Sequence, residues 1–151
     1  MSTGDSASSL PEPPGPAPAV REELARASRD LEAAEPREIV RWAAERYGGR
    51  LTMATAFGPE GCLIIHWLAE VAPRTHVFNL ETGYQFRETL ELRDRIAKRY
   101  GIEVALESPE TTVADYERLH GGPLYRTDPD RCCRDRKIAV IERVLANFDA
   151  W

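Results

Sequence analysis

Three short apolar segments alternate with longer helical stretches in the middle of this chain, and this alternation limits its fold more than any other feature. The predicted strands are Leu51–Phe57, Thr75–Leu80 and Ile102–Leu106. Helices are predicted between them, at Cys62–Val71 and Phe86–Tyr100. A helix between two consecutive strands is typical of a crossover connection, which places the strands parallel in one sheet. The sequence therefore predicts an α/β fold with a parallel sheet and flanking helices.

Helices are also predicted on both sides of this alternating region. Val20–Ala34 and Pro36–Tyr47 precede it, and Thr111–His120 follows it. A last helix is predicted from about residue 130 to residue 147. Its periodicity predicts a buried apolar stripe of Ile138, Ile141, Val144, Leu145 and Phe148.

The composition fits one small domain with a tail. The chain has 151 residues, of which 42% are hydrophobic and 30% charged, so a core can form. Residues 1–19 are rich in proline and small residues, which predicts a disordered tail before one domain at residues 20–151. A net charge of −5 argues against a nucleic-acid partner. Without a signal peptide or a membrane-length apolar run, we expect a cytoplasmic protein with no membrane partner.

Glycine-containing loops follow the first two predicted strands. Residues 56–61 read A-F-G-P-E-G, and residues 80–84 read L-E-T-G-Y. In a parallel sheet both loops lie at the carboxyl ends of adjacent strands, where ligands of α/β proteins bind. Glycine lets the backbone approach a ligand, and free N–H groups at a helix start attract an anion. Each loop alone is compatible with an ordinary turn, and Tyr84 is compatible with either base stacking or packing. The two loops together indicate one binding crevice.

Two adjacent cysteines, Cys132 and Cys133, stand in a strongly basic segment at residues 126–137. Nearby cations favour the thiolate, which is the form that ligates metals and attacks sulfur. The same cations favour binding of a doubly charged phosphate or sulfate group. Buried small residues are the structural alternative for the pair. The third cysteine, Cys62, shares no ligand spacing with the pair and is interpreted as core filling.

Three motifs in a fixed order carry a resemblance to a known family. They are A-F-G-P-E-G at residues 56–61, F-N-L-E-T-G-Y-Q-F-R-E-T-L-E-L-R-D at residues 78–94 and Y-R-x₅-C-C-x₂-R-K at residues 125–137. In this order and spacing they resemble the sulfonucleotide reductases, which comprise the assimilatory adenylylsulfate and phosphoadenylylsulfate reductases. The resemblance covers residues 51–151 and implies the adenine-nucleotide α-hydrolase-like fold.

The resemblance also implies roles for individual residues. The tandem pair Cys132 and Cys133 matches two ligands of a [4Fe–4S] cluster, and Lys137 matches a lysine near that cluster and the sulfate end of the substrate. Glu81, Arg87 and Gly61 depart from the residues most common in the family. The residues expected to bind substrate are Phe57, Gly58, Glu60, Gly61, Leu80, Thr82, Gly83, Arg126 and Lys137.

The family reduces adenylylsulfate or phosphoadenylylsulfate to sulfite, with thioredoxin or glutaredoxin as the reductant. In the cluster-containing branch the remaining cluster ligands, a Cys-x-x-Cys, lie beyond the tandem pair, and the nucleophilic cysteine of the family lies near the C-terminus. This sequence has no cysteine after Cys133. We therefore expect a fragment that holds two of four cluster ligands and no catalytic cysteine. Lys137 would play only a supporting role, and the 151 residues alone would be inactive.

Two other functions stay open at the level of sequence. One is a non-catalytic adenine-nucleotide-binding or interaction module of the same fold, which keeps the loops without the chemistry. The other is an ATP sulfurylase-like adenylyl transferase, which the tandem cysteines disfavour because that chemistry does not need them. The choice between the two sulfonucleotides stays open, and a homo-oligomer is compatible with the sequence.

Overall fold

A parallel sheet of three strands forms the centre of the computed structural model, which describes residues 15–151. The strands are β1 (Thr52–Ala54), β2 (His76–Leu80) and β3 (Val104–Glu107), and β2 lies between the other two. Helix α3 (Pro59–Val71) connects β1 to β2, and helix α4 (Arg87–Tyr100) connects β2 to β3. Both strand pairs are parallel. The predicted α/β architecture is confirmed.

The remaining elements flank this sheet in sequence. They are α1 (Pro18–Asp30), α2 (Pro36–Tyr47), a 3₁₀ turn (Gly48–Arg50), α5 (Val113–His120), a second 3₁₀ turn (Leu124–Arg126), α6 (Pro129–Cys133), a π-helical segment (Arg134–Ile138) and α7 (Ala139–Leu145). Residues 35–151 form one compact unit, and α1 belongs to a separate unit that ends at residue 34. None of the helices within residues 15–151 is long and apolar enough to cross a membrane.

The predicted boundary between tail and domain differs slightly from the structure. Helix α1 begins at Pro18, two residues before the predicted domain start, because a proline fits the first turn of a helix. Most of the predicted disordered tail, residues 1–14, lies outside the described residues.

The two faces of the sheet carry different packing. On one face, Val77 of β2 forms a core with Ile65 of α3 and Ile96 of α4. On the other face, the ring of His76 stacks on Phe148 with their centroids 5.0 Å apart. Alternate residues of a strand point to opposite faces, so β2 contributes to both layers. This central position fixes where the carboxyl end of β2 emerges.

The predicted last helix is interrupted, and its buried stripe differs from the prediction. Four residues at a spacing of four are buried: Cys132, Arg136, Val140 and Val144. A regular α-helix has 3.6 residues per turn, and the wider turn of the π-helical segment compensates for the difference. Ile138, predicted to be buried, is 43% exposed. The prediction was wrong there because it assumed an uninterrupted α-helix.

The end of the chain adds a short pairing beside β1. The backbone N–H of Thr52 donates to the carbonyl of Ala150 at 3.0 Å, and Leu51 and Ala150 form a parallel bridge. An ion pair between Arg50 and Asp149 (2.8 Å) supports this contact. The hydrogen bond from Arg50 lowers the pKa of Asp149 below its ordinary value. The pairing lies at the start of β1, away from the strand's carboxyl end.

Replacing Ile65 by alanine tests the packing of α3 on the sheet. Ile65 is fully buried, so Ile65→Ala should lower the free energy of unfolding by about 2–5 kcal/mol in urea denaturation. Leu63 lies in the same helix with 47% of its surface exposed, and Leu63→Ala is the matched control, with an expected loss of about 1 kcal/mol or less. Equal losses for the two variants would contradict the assigned buried face of α3.

Candidate functional site

A cleft of about 540 Å³ opens at the carboxyl ends of β1 and β2. Of the substrate-binding residues predicted from sequence, Leu80, Thr82 and Lys137 line it. Its volume lies within the range of small-molecule sites, and its place is the one expected for ligands of parallel sheets. Further lining residues that were not predicted from the sequence include Thr55, Asn79, Gln85 and Phe86.

A network of side-chain amides holds the floor of the cleft. The Asn79 amide donates to the Thr55 carbonyl at 2.7 Å, which joins the ends of β2 and β1. The Gln85 amide donates to Asn79 Oδ1 at 2.8 Å and also to the carbonyl of Leu80. Asn79 is buried, so these bonds satisfy polar groups that water does not reach. A polar residue inside the apolar strand F-N-L was the signal that could have identified this network.

The first loop is strained at Phe57. Within residues 15–151, Phe57 is the one non-glycine residue with a positive φ, at +61°. Its side chain is buried in the core, and its N–H donates to Thr55 Oγ1 at 3.0 Å. Such a backbone persists only where the surroundings hold it, and it is common at functional sites. The strain fixes the turn that carries the chain from β1 to the start of α3.

The predicted contacts of this loop with substrate stay predictions. None of the four residues named from sequence, Phe57, Gly58, Glu60 and Gly61, lines the cleft, although the preceding Ala56 does. A Cβ atom on Gly61 would come within 2.9 Å of Thr55 Oγ1, so this glycine serves the close approach of α3 to β1.

The second loop has a backbone that requires glycine. Gly83 has a φ of +80°, and a Cβ atom there would overlap a methyl group of Val113. The N–H of Gly83 donates to the Glu81 carboxylate at 2.7 Å, and the N–H of Tyr84 donates to Thr82 Oγ1 at 3.2 Å. The loop therefore stabilises itself and presses against the start of α5. Gly83 itself does not line the cleft.

Tyr84 packs against neighbouring side chains and also lines the cleft, so its packing is observed and base stacking stays a prediction. Its hydroxyl donates to the Glu117 carboxylate at 3.1 Å, and its ring meets the edge of Tyr125 at 5.1 Å. Burial and this hydrogen bond raise the pKa of Tyr84 above its ordinary value. The group therefore stays a neutral donor. Phe86, predicted to begin the second crossover helix, instead precedes α4 and is 78% exposed at the cleft.

The adjacent cysteines have different surroundings. Cys132 is buried against Tyr84, Tyr116 and Leu124, whereas Cys133 is exposed. The side chain of Asp128 accepts the N–H of Arg131 at 3.0 Å and so fixes the start of α6. Cys62, half-buried against the core, matches its predicted role as core filling.

The donor set of the described residues is incomplete for a [4Fe–4S] cluster. Such clusters take four thiolate ligands, and the tandem pair supplies two. Across residues 15–151, no three His, Cys, Asp or Glu side chains converge as a metal site. This chain alone therefore does not fit the group.

The basic residues of this segment divide into separate roles. Lys137 lines the cleft, whereas Arg126 lies over the ring of Tyr125 at 5.8 Å and does not line it. Arg136, not singled out from sequence, is buried with only 3% of its surface exposed. The contact of Arg126 with substrate stays a prediction.

Fold and site together define an α/β protein with a small-molecule cleft at the carboxyl ends of parallel strands and a lysine in that cleft. Residues 50–151 match the family described as phosphoadenosine phosphosulfate reductase domain. This match covers more than half of the chain, so the chain belongs to that family.

Similar proteins agree with this assignment. The adenosine 5'-phosphosulfate reductase of Bacillus pumilus is 36% identical over 75% of this chain and 49% of its own length. The phosphoadenosine 5'-phosphosulfate reductase of Gloeobacter violaceus is 38% identical over 86% of this chain and 53% of its own length. The chain thus spans about half the length of these relatives.

A solved structure shares the fold. The crystal structure of phosphoadenylyl-sulfate reductase from Candida auris, in a phosphate complex, superposes with a TM-score of 0.74 at 21% identity. The match covers 86% of this chain and 66% of that structure. The predicted adenine-nucleotide α-hydrolase-like fold is confirmed.

Replacing Gly83 by alanine tests the close contact of the second loop with α5. Gly121→Ala is the matched control, because Gly121 also has a positive φ (+72°) but a Cβ atom there would meet no other atom within 4 Å. Gly121→Ala should cost about 1–2 kcal/mol of unfolding free energy through backbone strain alone. Gly83→Ala should cost about 1–3 kcal/mol more because of the contact with Val113. Equal losses of unfolding free energy for the two variants in urea denaturation would show that the Val113 side chain moves aside at no energetic cost.

Proposed function

We propose that the protein to which this chain belongs reduces adenylylsulfate or phosphoadenylylsulfate to sulfite in sulfate assimilation. The observation that carries the proposal is the family match over residues 50–151, together with a cleft whose walls include Leu80, Thr82 and Lys137. The chain would supply the nucleotide cleft and the cation that faces the sulfate end. Thioredoxin or glutaredoxin is the proposed reductant, and a reducing cytoplasm is the proposed compartment, since free thiols persist there.

The residues of the cleft would hold and orient the nucleotide. Asn79 and Gln85 fix the two strand ends relative to each other, so the loops present a preformed surface. Lys137 supplies a positive charge, and an ammonium group is a strong partner for phosphate and sulfate oxygens. Apolar atoms of Ala54 and Ala56 would cover the less polar part of the ligand.

The proposed reaction is a two-electron reduction of the sulfate group. A thiolate attacks the sulfur atom, a sulfur–sulfur bond forms, and the bond from sulfur to the bridging phosphate oxygen breaks. The nucleotide leaves with that electron pair, either as AMP or as adenosine 3′,5′-bisphosphate. A thiolate of the reductant then attacks the enzyme sulfur, sulfite leaves, and the second thiol of the reductant completes its disulfide.

None of the three cysteines is assigned as the attacking thiol. Cys62 packs on the core with its Sγ 3.5 Å from the carbonyl oxygen of Phe57. Cys132 and Cys133 match cluster ligands, and we propose that role for them in a protein that supplies two further ligands. A [4Fe–4S] cluster held by this pair and two further thiolates would add an iron–sulfur centre to the basic segment, and no step above depends on it.

Replacing Lys137 by methionine tests its proposed contact with the sulfate end. Lys137→Met should weaken adenylylsulfate binding about tenfold or more in calorimetric titration, because a charge-assisted contact is lost. The other lysine of the chain, Lys98, is exposed near the end of α4, and Lys98→Met should bind like the unchanged chain. Equal effects of the two replacements would indicate general charge attraction rather than a contact in the cleft.

Sulfite release tests the expectation that the 151 residues alone are inactive. With adenylylsulfate, thioredoxin and a thioredoxin-reducing system, the purified chain should release no sulfite above a control without protein, since no cysteine is assigned as nucleophile. The Bacillus pumilus reductase serves as the positive control. Sulfite release by the 151 residues would overturn this expectation. Failure of the chain to bind either sulfonucleotide would instead contradict the proposed function and favour an interaction module.

A further inference from the structure

Arg136 is a buried cation between two parts of the candidate site. Its Nε donates to the carbonyl of Thr82 at 2.7 Å, and one of its terminal nitrogens donates to the carbonyl of Thr111 at 3.3 Å. Its guanidinium carbon lies 5.5 Å from the ring centre of Tyr84 and 4.9 Å from that of Tyr116. The side chain thus joins the second loop, the start of α5 and the π-helical segment.

These partners are unusual for a buried arginine. Buried cations are normally paired with a carboxylate, because an isolated charge is costly to remove from water. Within residues 15–151 no carboxylate forms an ion pair with Arg136, and its charge is balanced by carbonyl dipoles and by the faces of two tyrosine rings. A methionine or leucine would fill the same apolar position at lower cost. The arginine therefore contributes directional contacts that an apolar residue would not make.

The rings that hold Arg136 are themselves fixed. The Tyr116 hydroxyl donates to the carboxylate of Asp135 at 2.9 Å, and the Tyr84 hydroxyl donates to Glu117. Burial and the hydrogen bond to Asp135 raise the pKa of Tyr116 well above its ordinary value, so it stays a neutral donor. The guanidinium accordingly lies in a rigid frame.

Arg136 and Lys137 are consecutive residues with different environments. Arg136 is buried against the second loop, whereas Lys137 reaches the cleft that Thr82 also lines. A ligand that contacts both Lys137 and Thr82 would therefore bind two groups that are already connected, because Arg136, the neighbour of Lys137, donates to the Thr82 carbonyl. Fixing two contact groups relative to each other before binding lowers the entropic cost of holding a ligand.

We propose that Arg136 is a positioning residue that holds Lys137 at a fixed place relative to the second loop, so that the cleft distinguishes a sulfated nucleotide from the same nucleotide without sulfate. The proposal rests on the proposed function and extends it to a residue that does not touch substrate. Arg136 acts through Lys137, and its effect falls on the anionic end of the ligand alone.

The test compares the affinities of adenylylsulfate and AMP by calorimetric titration of the whole chain. Arg136→Met should weaken adenylylsulfate binding about tenfold, or ~1.4 kcal/mol, and AMP binding less than about twofold. Arg136→Lys should resemble Arg136→Met, because lysine keeps the charge but lacks the planar fork that makes two bonds and stacks on rings. Arg95→Met removes one exposed charge from α4 and should change neither affinity.

A double-mutant cycle shows whether Arg136 acts through Lys137. In the Lys137→Met background, adding Arg136→Met should cause no further loss of adenylylsulfate affinity, since the group to be positioned is absent. An independent, additive loss would overturn the proposal, and so would equal losses for both nucleotides in the single variant. Should Arg136→Met fail to fold, Arg136→Lys carries the same comparison.

The outcomes separate this proposal from the proposed function. If the unchanged chain binds neither nucleotide, the proposed function fails before any variant is measured, and the role of Arg136 fails with it. If the unchanged chain binds adenylylsulfate and the Arg136 variants keep its preference over AMP, the positioning role alone is overturned.

Discussion

The hydrogen bond from the Asn79 amide to the Thr55 carbonyl joins the carboxyl ends of β1 and β2, and the cleft depends on it. The strands pair in parallel up to Ala54 and Phe78, and the Thr55 N–H donates to the Phe78 carbonyl at 2.9 Å. A buried amide bridges this point with a bond that water cannot replace. Gln85 extends the bridge to the carbonyl of Leu80. The floor of the cleft is therefore held by hydrogen bonds that continue those of the sheet.

The sequence predicted those features that follow from local pattern. Apolar segments and glycine loops located all three strands and placed the cleft between the first two loops, because period and turn chemistry are local properties. Helix α2 was predicted with its observed bounds, since a proline begins it and glycine ends it. The cleft lining was predicted only in part. Asn79 acts through Thr55, which lies 24 residues away in the chain, and Gln85 acts through Asn79. Phe86 was assigned to a helix that begins one residue later.

The last helix shows why pattern reasoning failed where it did. An apolar stripe with a period of 3.6 residues predicted a buried Ile138, whereas the structure buries the charged Arg136 two positions earlier. The wider turn of the π-helical segment places Arg136 rather than Ile138 on the buried face. Such segments are frequent at functional sites. Sequence rules of this kind tend to fail at sites where a chain departs from regular packing for a purpose. The failure here coincides with the residues beside Lys137 and the tandem cysteines.

The charge of the cleft bears on the choice between the two sulfonucleotides, which the names of the relatives leave open because both substrates occur among them. Within residues 15–151, Lys137 is the one basic residue that lines the cleft. Adenylylsulfate carries its charge at the phosphosulfate end, and a single lysine faces one such end. Phosphoadenylylsulfate carries an additional 3′-phosphate of nearly two charges, which calls for further cationic donors. The cation that the described residues place in the cleft therefore suffices for one anionic end, and a second anionic group on a ligand would need further cationic partners.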